Sequence, residues 1–169
     1  MNQNRLQALL NNKNTLNQLP PSVKAKIYEL VEELEERKSA GQAQKSFMAF
    51  VQKVWPSFIH GAHHAKMAGA FEKVAEGKIK RLIINMPPRH TKSEFASYLL
   101  PAWFLGKYPD KKVIQSSNTA ELAVGFGRKV RNLVGGEVYS KICPNVALQS
   151  DSKAAGRWST NASGFAVAL

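Results

Sequence analysis

The stretch "INMPPRHTKSEF", residues 84–95, decides how this chain is read. It joins an apolar run rich in β-branched residues, "RLIINM" at 81–86, to a segment with helical character, "TKSEFASYLLPAWFLG" at 91–106. A loop that leaves a strand and opens a helix meets unpaired N–H groups and a partial positive charge, a setting that suits phosphate. Lys92 and Ser93 match the last two positions of the phosphate-loop pattern G-x-x-x-x-G-K-[ST]. In that pattern the lysine reaches the β/γ-phosphates of a nucleotide and the hydroxyl ligates Mg²⁺. Arg89 adds a second cation able to fork onto phosphate oxygens. The pattern also demands glycine at 86 and 91, where this chain has Met86 and Thr91. Pro87 and Pro88 remove two backbone donors from such a cradle. Two readings stand on the residues alone: a variant phosphate loop, or a proline turn whose lysine faces solvent.

Composition narrows the frame. The chain has 169 residues, 44% of them hydrophobic, enough for a globular core. No run of about 18 apolar residues occurs, so no membrane-spanning helix is expected. The first residues, "MNQNRLQALLNNKN", lack the apolar core of a signal peptide and read as a frayed segment. A single cysteine, Cys143, excludes an internal disulfide and reads as a small buried apolar residue. The formal charge is +12 and uneven: residues 1–77 carry 10 Lys/Arg against 7 Asp/Glu, residues 78–169 carry 14 against 5. The basic second part suits a polyanionic partner, nucleotide or nucleic acid, or is a basic but inert surface.

Periodicity predicts helices before residue 78 and alternating strands and helices after it. "PPSVKAKIYELVEELEERKSAG" places Ile27, Leu30, Val31 and Leu34 on one face, with Pro21 in the first turn and Gly41 able to end the helix. "QKSFMAFVQKVW" groups Phe47, Phe50, Val51 and Val54; "HHAKMAGAFEKVAEG" groups Met67, Ala70, Phe71 and Val74, closed by Gly77. "RLIINM" and "KVIQSS" read as buried strands of a parallel sheet. Pro101 kinks or ends the helix between them. "NTAELAVGFGRKVRNLV" is a helix started by Asn118 and Glu121, with Leu122, Phe126, Val130 and Leu133 as its apolar face. "RWSTNASGFAVAL", from residue 157, reads as two short strands around an Asn/Ser/Gly turn. The last residue is apolar, so the chain reads as cut rather than finished. The order points to an α/β fold with two parts: a helical region at 1–77 and a sheet-bearing core from 78 to 169.

The phrase "RLIINMPPRHTKSEFASYLLPAWFLGKYPDKKVIQSSNTAELAVGFGRKVRNLV" resembles the ATPase domain of the large terminase subunits of tailed bacteriophages, motors that package DNA into procapsids. The likeness lies in "PPRH-x-KSE" after an "IIN" strand, "PAW" near the helix end, "YPDKKVI", "GFGRKVR" and "WST" at 158–160; "IHGAHHAKMAGAFEKVAEGKIKR" fits the region ahead of it. It covers roughly residues 45–165 and departs at Thr91, where the family has glycine or another small residue. The resemblance implies a P-loop NTPase core of the RecA-like (ASCE) kind, here incomplete, with ATP and Mg²⁺ as cofactors. It makes Lys92 the catalytic phosphate lysine and Ser93 the metal ligand, with Pro88, Arg89, His90 and Thr91 lining the phosphates. Arg89 is also the implied charge stabiliser. Arg128 and Arg131, one helical turn apart, would face DNA or a neighbouring subunit's ATP, or are merely solvated. Implied partners are double-stranded DNA, a portal protein, a small terminase subunit and further copies in a ring, at the procapsid portal in the host cytoplasm.

Phosphoryl transfer also needs an acid to hold Mg²⁺ and a group to orient water. In that family both end a later apolar strand. The acids after the loop, Glu94, Asp110, Glu121, Glu137 and Asp151, end no such run, and the family's nuclease carboxylates are missing too. The expectation is a nucleotide-binding portion with weak or no hydrolysis by itself. The competing expectations are a nucleic-acid-binding module without nucleotide chemistry and a remnant that keeps the fold only. His60 and His64 share an i, i+4 spacing usable by zinc but lack a third ligand, so packing or adenine-side contacts are the expected use of the histidines at 60, 63 and 64. Trp55, Trp103 and Trp158 are expected in the core.

Overall fold

A computed structural model describes residues 19–154 and 156–168; the expected frayed segment at the N-terminus and the apolar last residue lie outside them. The chain divides into two compact units, Met1–Ser39 and Ala40–Leu169. The division expected after residue 77 is not seen. Phe47 and Phe71, ahead of that point, share one buried core with Phe95, Trp103 and Tyr139 beyond it.

Most of helix α1 (Pro21–Lys45) lies in the first unit, where Ile27 is buried with Leu19, Val31 and Leu34 against it. Gly41 does not end this helix. The chain stays helical for four more residues because Ala43 is wholly buried, and that burial offsets the roughly 1 kcal/mol a mid-helix glycine costs.

In the second unit, α2 (Phe47–Val54) and α3 (Ala62–Ala75) bring Phe47, Phe50, Val51, Met67 and Phe71 inward. Phe47 is the hub: its ring meets Phe71, Phe95 and Trp103 edge-on at 5.2, 5.5 and 5.6 Å. Such pairs contribute about 0.5–1.5 kcal/mol each beyond area burial. Ser46 makes no side-chain cap for α2; the Glu72 carboxylate of α3 accepts from the Phe47 N–H at 2.8 Å instead. Gly77, at φ +72, ends the turn after α3 as its sequence position predicts.

Residues 81–87 form no sheet ladder, a correction to the expected buried strand. The run is extended with one face covered. Ile84 and Met86 pack on the core, while Ile83 is 85% exposed. A ladder needs a second strand along an edge, and no described strand lies beside this one. After the loop, residues 92–107 are helical throughout: a π-turn at Glu94–Leu99 and then α4 (Leu100–Lys107). Of the two expected effects of Pro101, ending the helix is not seen. Lacking an N–H, Pro101 leaves the carbonyl of Ser97 without its usual partner, and the Gln115 side chain donates to that oxygen at 2.6 Å. The Leu100 N–H reaches back to Phe95, one residue further than an α-helix would.

The sheet has four strands in the order β1-β4-β3-β2: β1 (Lys112–Gln115), β2 (Leu148–Lys153), β3 (Arg157–Thr160) and β4 (Phe165–Ala168). β1 pairs parallel with β4, whereas β3 pairs antiparallel with both β4 and β2. The expected parallel-sheet core is therefore represented by one parallel pair. "KVIQSS" is also not a buried strand: β1 is an edge with Ile114 67% exposed. The expected hairpin at the end is present, with Ser163 at φ +67 in its turn.

Helices α5 (Ala120–Val134) and α6 (Glu137–Ile142) complete the unit. Thr119, not Asn118, caps α5, its hydroxyl accepting from the Leu122 N–H. The buried stripe is Ala123, Gly127, Val130 and Val134, one position round from the expected Leu122–Leu133 face; Leu122 is 49% exposed. Gly127 leaves its carbonyl open to the Trp158 indole N–H at 3.2 Å. Trp103 and Tyr139 satisfy their polar tips likewise, on the carbonyls of Ala43 and Ala102. Trp103 and Trp158 are core residues as expected, and Trp55 is half-buried.

Candidate phosphate-binding site

Residues Pro87 to Glu94 line a concave site of about 400 Å³ at the point where the chain enters the helical run of residues 92–107. Two of its residues hold left-handed backbone: Arg89 at φ +64 and Thr91 at φ +56. For a β-branched residue this is an outlier, of the kind that costs about 1–3 kcal/mol. Thr91 is also the position at which the phosphate-loop pattern has glycine, the residue that adopts such an angle freely. A left-handed residue ahead of right-handed ones turns successive N–H groups toward one side, which is how a backbone forms an anion cradle. Here Thr91 precedes Lys92 and Ser93, and Ser93 is right-handed at φ −70, ψ −36. The helix opens with Phe95 N–H bonding to Thr91 C=O, so the amides of Lys92, Ser93 and Glu94 have no partner inside the helix.

Side chains complete the loop. His90 Nδ1–H donates to the Pro88 carbonyl at 2.9 Å and closes the turn across Arg89. Arg89, His90 and Ser93 are exposed and Lys92 is half-buried. Glu94 is engaged by Lys129 of α5 at 2.8 Å, so the first turn's carboxylate is already paired. The expected site residues 88–93 thus lie in one concavity. Arg128 and Arg131 are not among its lining residues. Arg128 is exposed on α5; Arg131 is half-buried and donates to the Asn132 side-chain carbonyl at 2.9 Å.

The loop leans on α3 through a histidine. His64 Nδ1 accepts from the Gly61 N–H at 2.9 Å, which puts the ring proton on Nε2. Nε2–H then donates to the Thr91 hydroxyl at 2.7 Å, and that hydroxyl donates to the His90 carbonyl at 2.7 Å. Burial, followed by the imidazoles of His63, His60 and His90, holds the His64 pKa below its ordinary 6.5 and keeps the ring neutral. Phe58 and Phe95 flank it at 4.7 and 5.1 Å. The i, i+4 helical spacing of His60 and His64 does not arise, because α3 begins at Ala62. Among the described residues no group of three or more His, Cys, Asp or Glu is placed to hold a metal. The contact between residues 64 and 91 had no sequence signal beyond a histidine at the third position of a helix and a threonine where glycine belongs.

The site suits a polyphosphate. Its donors are helix-opening amides, one lysine and one exposed arginine, and Ser93 offers an oxygen to a hard cation. Comparison with protein-family models, with curated proteins and with solved structures returned no match.

Proposed function

We propose that this chain is a nucleotide-binding protein of the P-loop class, its phosphate loop formed by residues 87–94. Within that class we propose the ATP-binding portion of a phage DNA-packaging motor, a large terminase subunit. The observation that carries the first step is the left-handed Thr91 immediately ahead of Lys92 and Ser93. A threonine held where glycine is favoured is a cost that a surface proline turn has no reason to bear. The single parallel pairing of β1 with β4 is in keeping with the class, and the reading does not rest on residues 81–87 being a ladder strand. The second step rests on the "PPRH-x-KSE", "YPDKKVI" and "GFGRKVR" phrases and on the basic excess of residues 78–169, 14 Lys/Arg against 5 Asp/Glu.

In this reading Lys92 binds the β/γ-phosphates, Arg89 forks onto phosphate oxygens, and the amides at the helix start hold the rest. Ser93 would be the protein's ligand to Mg²⁺, which supplies charge neutralisation between phosphates when bound. Glu94 Oε1 is paired with Lys129, and no acid after the loop ends a buried apolar run. On this reading the portion binds nucleotide with weak or no hydrolysis by itself. In the full motor the partners would be duplex DNA, portal protein, small subunit and further copies in a ring, at the procapsid in the host cytoplasm. No described helix is long and apolar enough to cross a membrane.

The test is titration of the full 169-residue chain with a fluorescent ATP analogue and Mg²⁺. Lys92→Ala should weaken binding by about ten- to a hundredfold, the range for a lost hydrogen bond from a charged group. Its circular dichroism should not change. Equal affinity in the variant would refute the assignment.

A further inference from the structure

We infer that His64 is a positioning residue for the phosphate loop, its neutral imidazole clamping the Thr91 hydroxyl so that a threonine holds a glycine's backbone angle. The inference rests on the reading of residues 87–94 as a phosphate site. It concerns the residue that makes this loop workable without its glycine.

The geometry runs through three bonds. Gly61 N–H donates to His64 Nδ1 at 2.9 Å, His64 Nε2–H donates to Thr91 Oγ1 at 2.7 Å, and Thr91 Oγ1–H donates to His90 C=O at 2.7 Å. Every donor has one acceptor, and the direction is set at the Gly61 end, because an amide can only donate. The clamp is rigid: His64 is 5% exposed and its ring sits among Phe58, Phe95 and His63, the last at 3.7 Å. A left-handed threonine persists only where its surroundings over-determine it, and His64 provides a bond to Thr91 from outside the loop. A second proton on the ring would set Nδ1–H against the Gly61 N–H and break the chain at its first link. The titratable groups facing His64 are His60 and His63 beside it on the sequence and His90 from the loop; each disfavours that proton.

The two histidine bonds can be separated. In His64→Asn the short amide retains an acceptor near the Nδ1 position and cannot reach Thr91. In His64→Gln the longer amide restores a donor near the Nε2 position. Mg²⁺ and the fluorescent ATP analogue would be titrated into wild type, H64N, H64Q, T91G and the double variant H64N/T91G. H64N should lose about fivefold in affinity, the factor one net hydrogen bond is worth, and H64Q should recover most of it. In T91G, where the angle costs nothing, adding H64N should change affinity by less than twofold. A loss from H64N that is the same in both backgrounds would overturn the positioning role, as would no loss in either. Failure of the phosphate reading has a different signature: no binding by wild type, or Lys92→Ala binding as well as wild type. A nitrogen NMR measurement of the His64 tautomer needs no nucleotide at all. The Nε2–H form is expected at pH 7, and the Nδ1–H form would overturn the clamp directly.

Discussion

Replacing Thr160 by valine removes a hydroxyl and keeps the shape, and its cost can be worked from the contacts. Thr160 ends β3 and is 1% exposed. Its single hydroxyl proton goes to the Pro109 carbonyl at 2.9 Å; the Gly164 carbonyl at 3.2 Å already accepts the Thr160 N–H at 2.7 Å. Thr160 Oγ1 in turn accepts from the Gly164 N–H at 3.1 Å. Thr160 therefore ties the β3–β4 hairpin to the turn that feeds β1. There is no slack: a Cβ at Gly164 would stand 2.2 Å from the Pro109 oxygen. Thr160→Val strands two polar groups, the Gly164 N–H and the Pro109 C=O. At about 1–3 kcal/mol for each buried orphan, partly relieved at the carbonyl, the expected loss is about 2–4 kcal/mol. Thr160→Ser keeps the hydroxyl and gives up one methyl, for a loss of about 1 kcal/mol. Urea denaturation followed by tryptophan fluorescence measures both, Trp158 lying in the same strand. If serine costs more than valine, packing rather than hydrogen bonding holds this corner and the reasoning fails.

Three further outcomes follow from the same structure. Burial pushes the Cys143 thiol up to about 11 despite its hydrogen bond with Tyr139, so iodoacetamide at pH 8 should label the native chain far more slowly than the urea-unfolded one; equal rates would contradict the burial. His64 has its pKa lowered from 6.5, so its neutral form stabilises the fold in full above that pH. The contribution erodes as pH falls below 6.5 and is gone beneath the lower folded value. The urea midpoints of wild type and H64N should accordingly converge between pH 7.5 and pH 5, and a constant gap would count against the linkage. Duplex DNA should bind with steep salt dependence, and Arg128→Ala should lower the slope of log affinity against log salt by about one. Binding of DNA that is indifferent to Mg-ATP would favour a nucleic-acid module without nucleotide chemistry.

The helices and the closing hairpin were legible because large apolar residues and turn formers mark them. Phe47, Phe50 and Val51 recur at helical spacing and are wholly buried, and Asn161, Ser163 and Gly164 sit between two β-branched or aromatic runs. The α5 stripe slipped by one position because a sequence reading weights bulk. The buried side is instead the small one, Ala123 and Gly127, which makes room for the Trp158 indole. Thr119 and Asn118 are both good caps, and only the backbone path decides between them. The apolar runs at 81–86 and 112–115 were read as buried strands because composition reports β-propensity, not neighbours; Ile83 and Ile114 are in fact largely exposed. Of the candidate site, Lys92 and Ser93 are marked in the sequence by their spacing. The clamp from His64 did not, because it joins residues 27 apart through one hydrogen bond.

Three described non-glycine residues hold positive φ, and they divide by cause. Ser163 lies in a tight hairpin turn before Gly164, where a short polar residue tolerates the angle and the Ser163 N–H bonds back to Thr160. Arg89 and Thr91 have neither the size nor the chemistry for it. They lie two residues apart, in the loop that also carries Pro87, Pro88, Lys92 and Ser93. The backbone here departs from what its residues prefer, and such departures are expected where a backbone is held for a ligand. The strain has its own supports, His90 on Pro88 and His64 on Thr91. Removing the supports should therefore harm the loop's function before it harms the fold. That ordering separates a built phosphate site from a turn that merely happens to be tight.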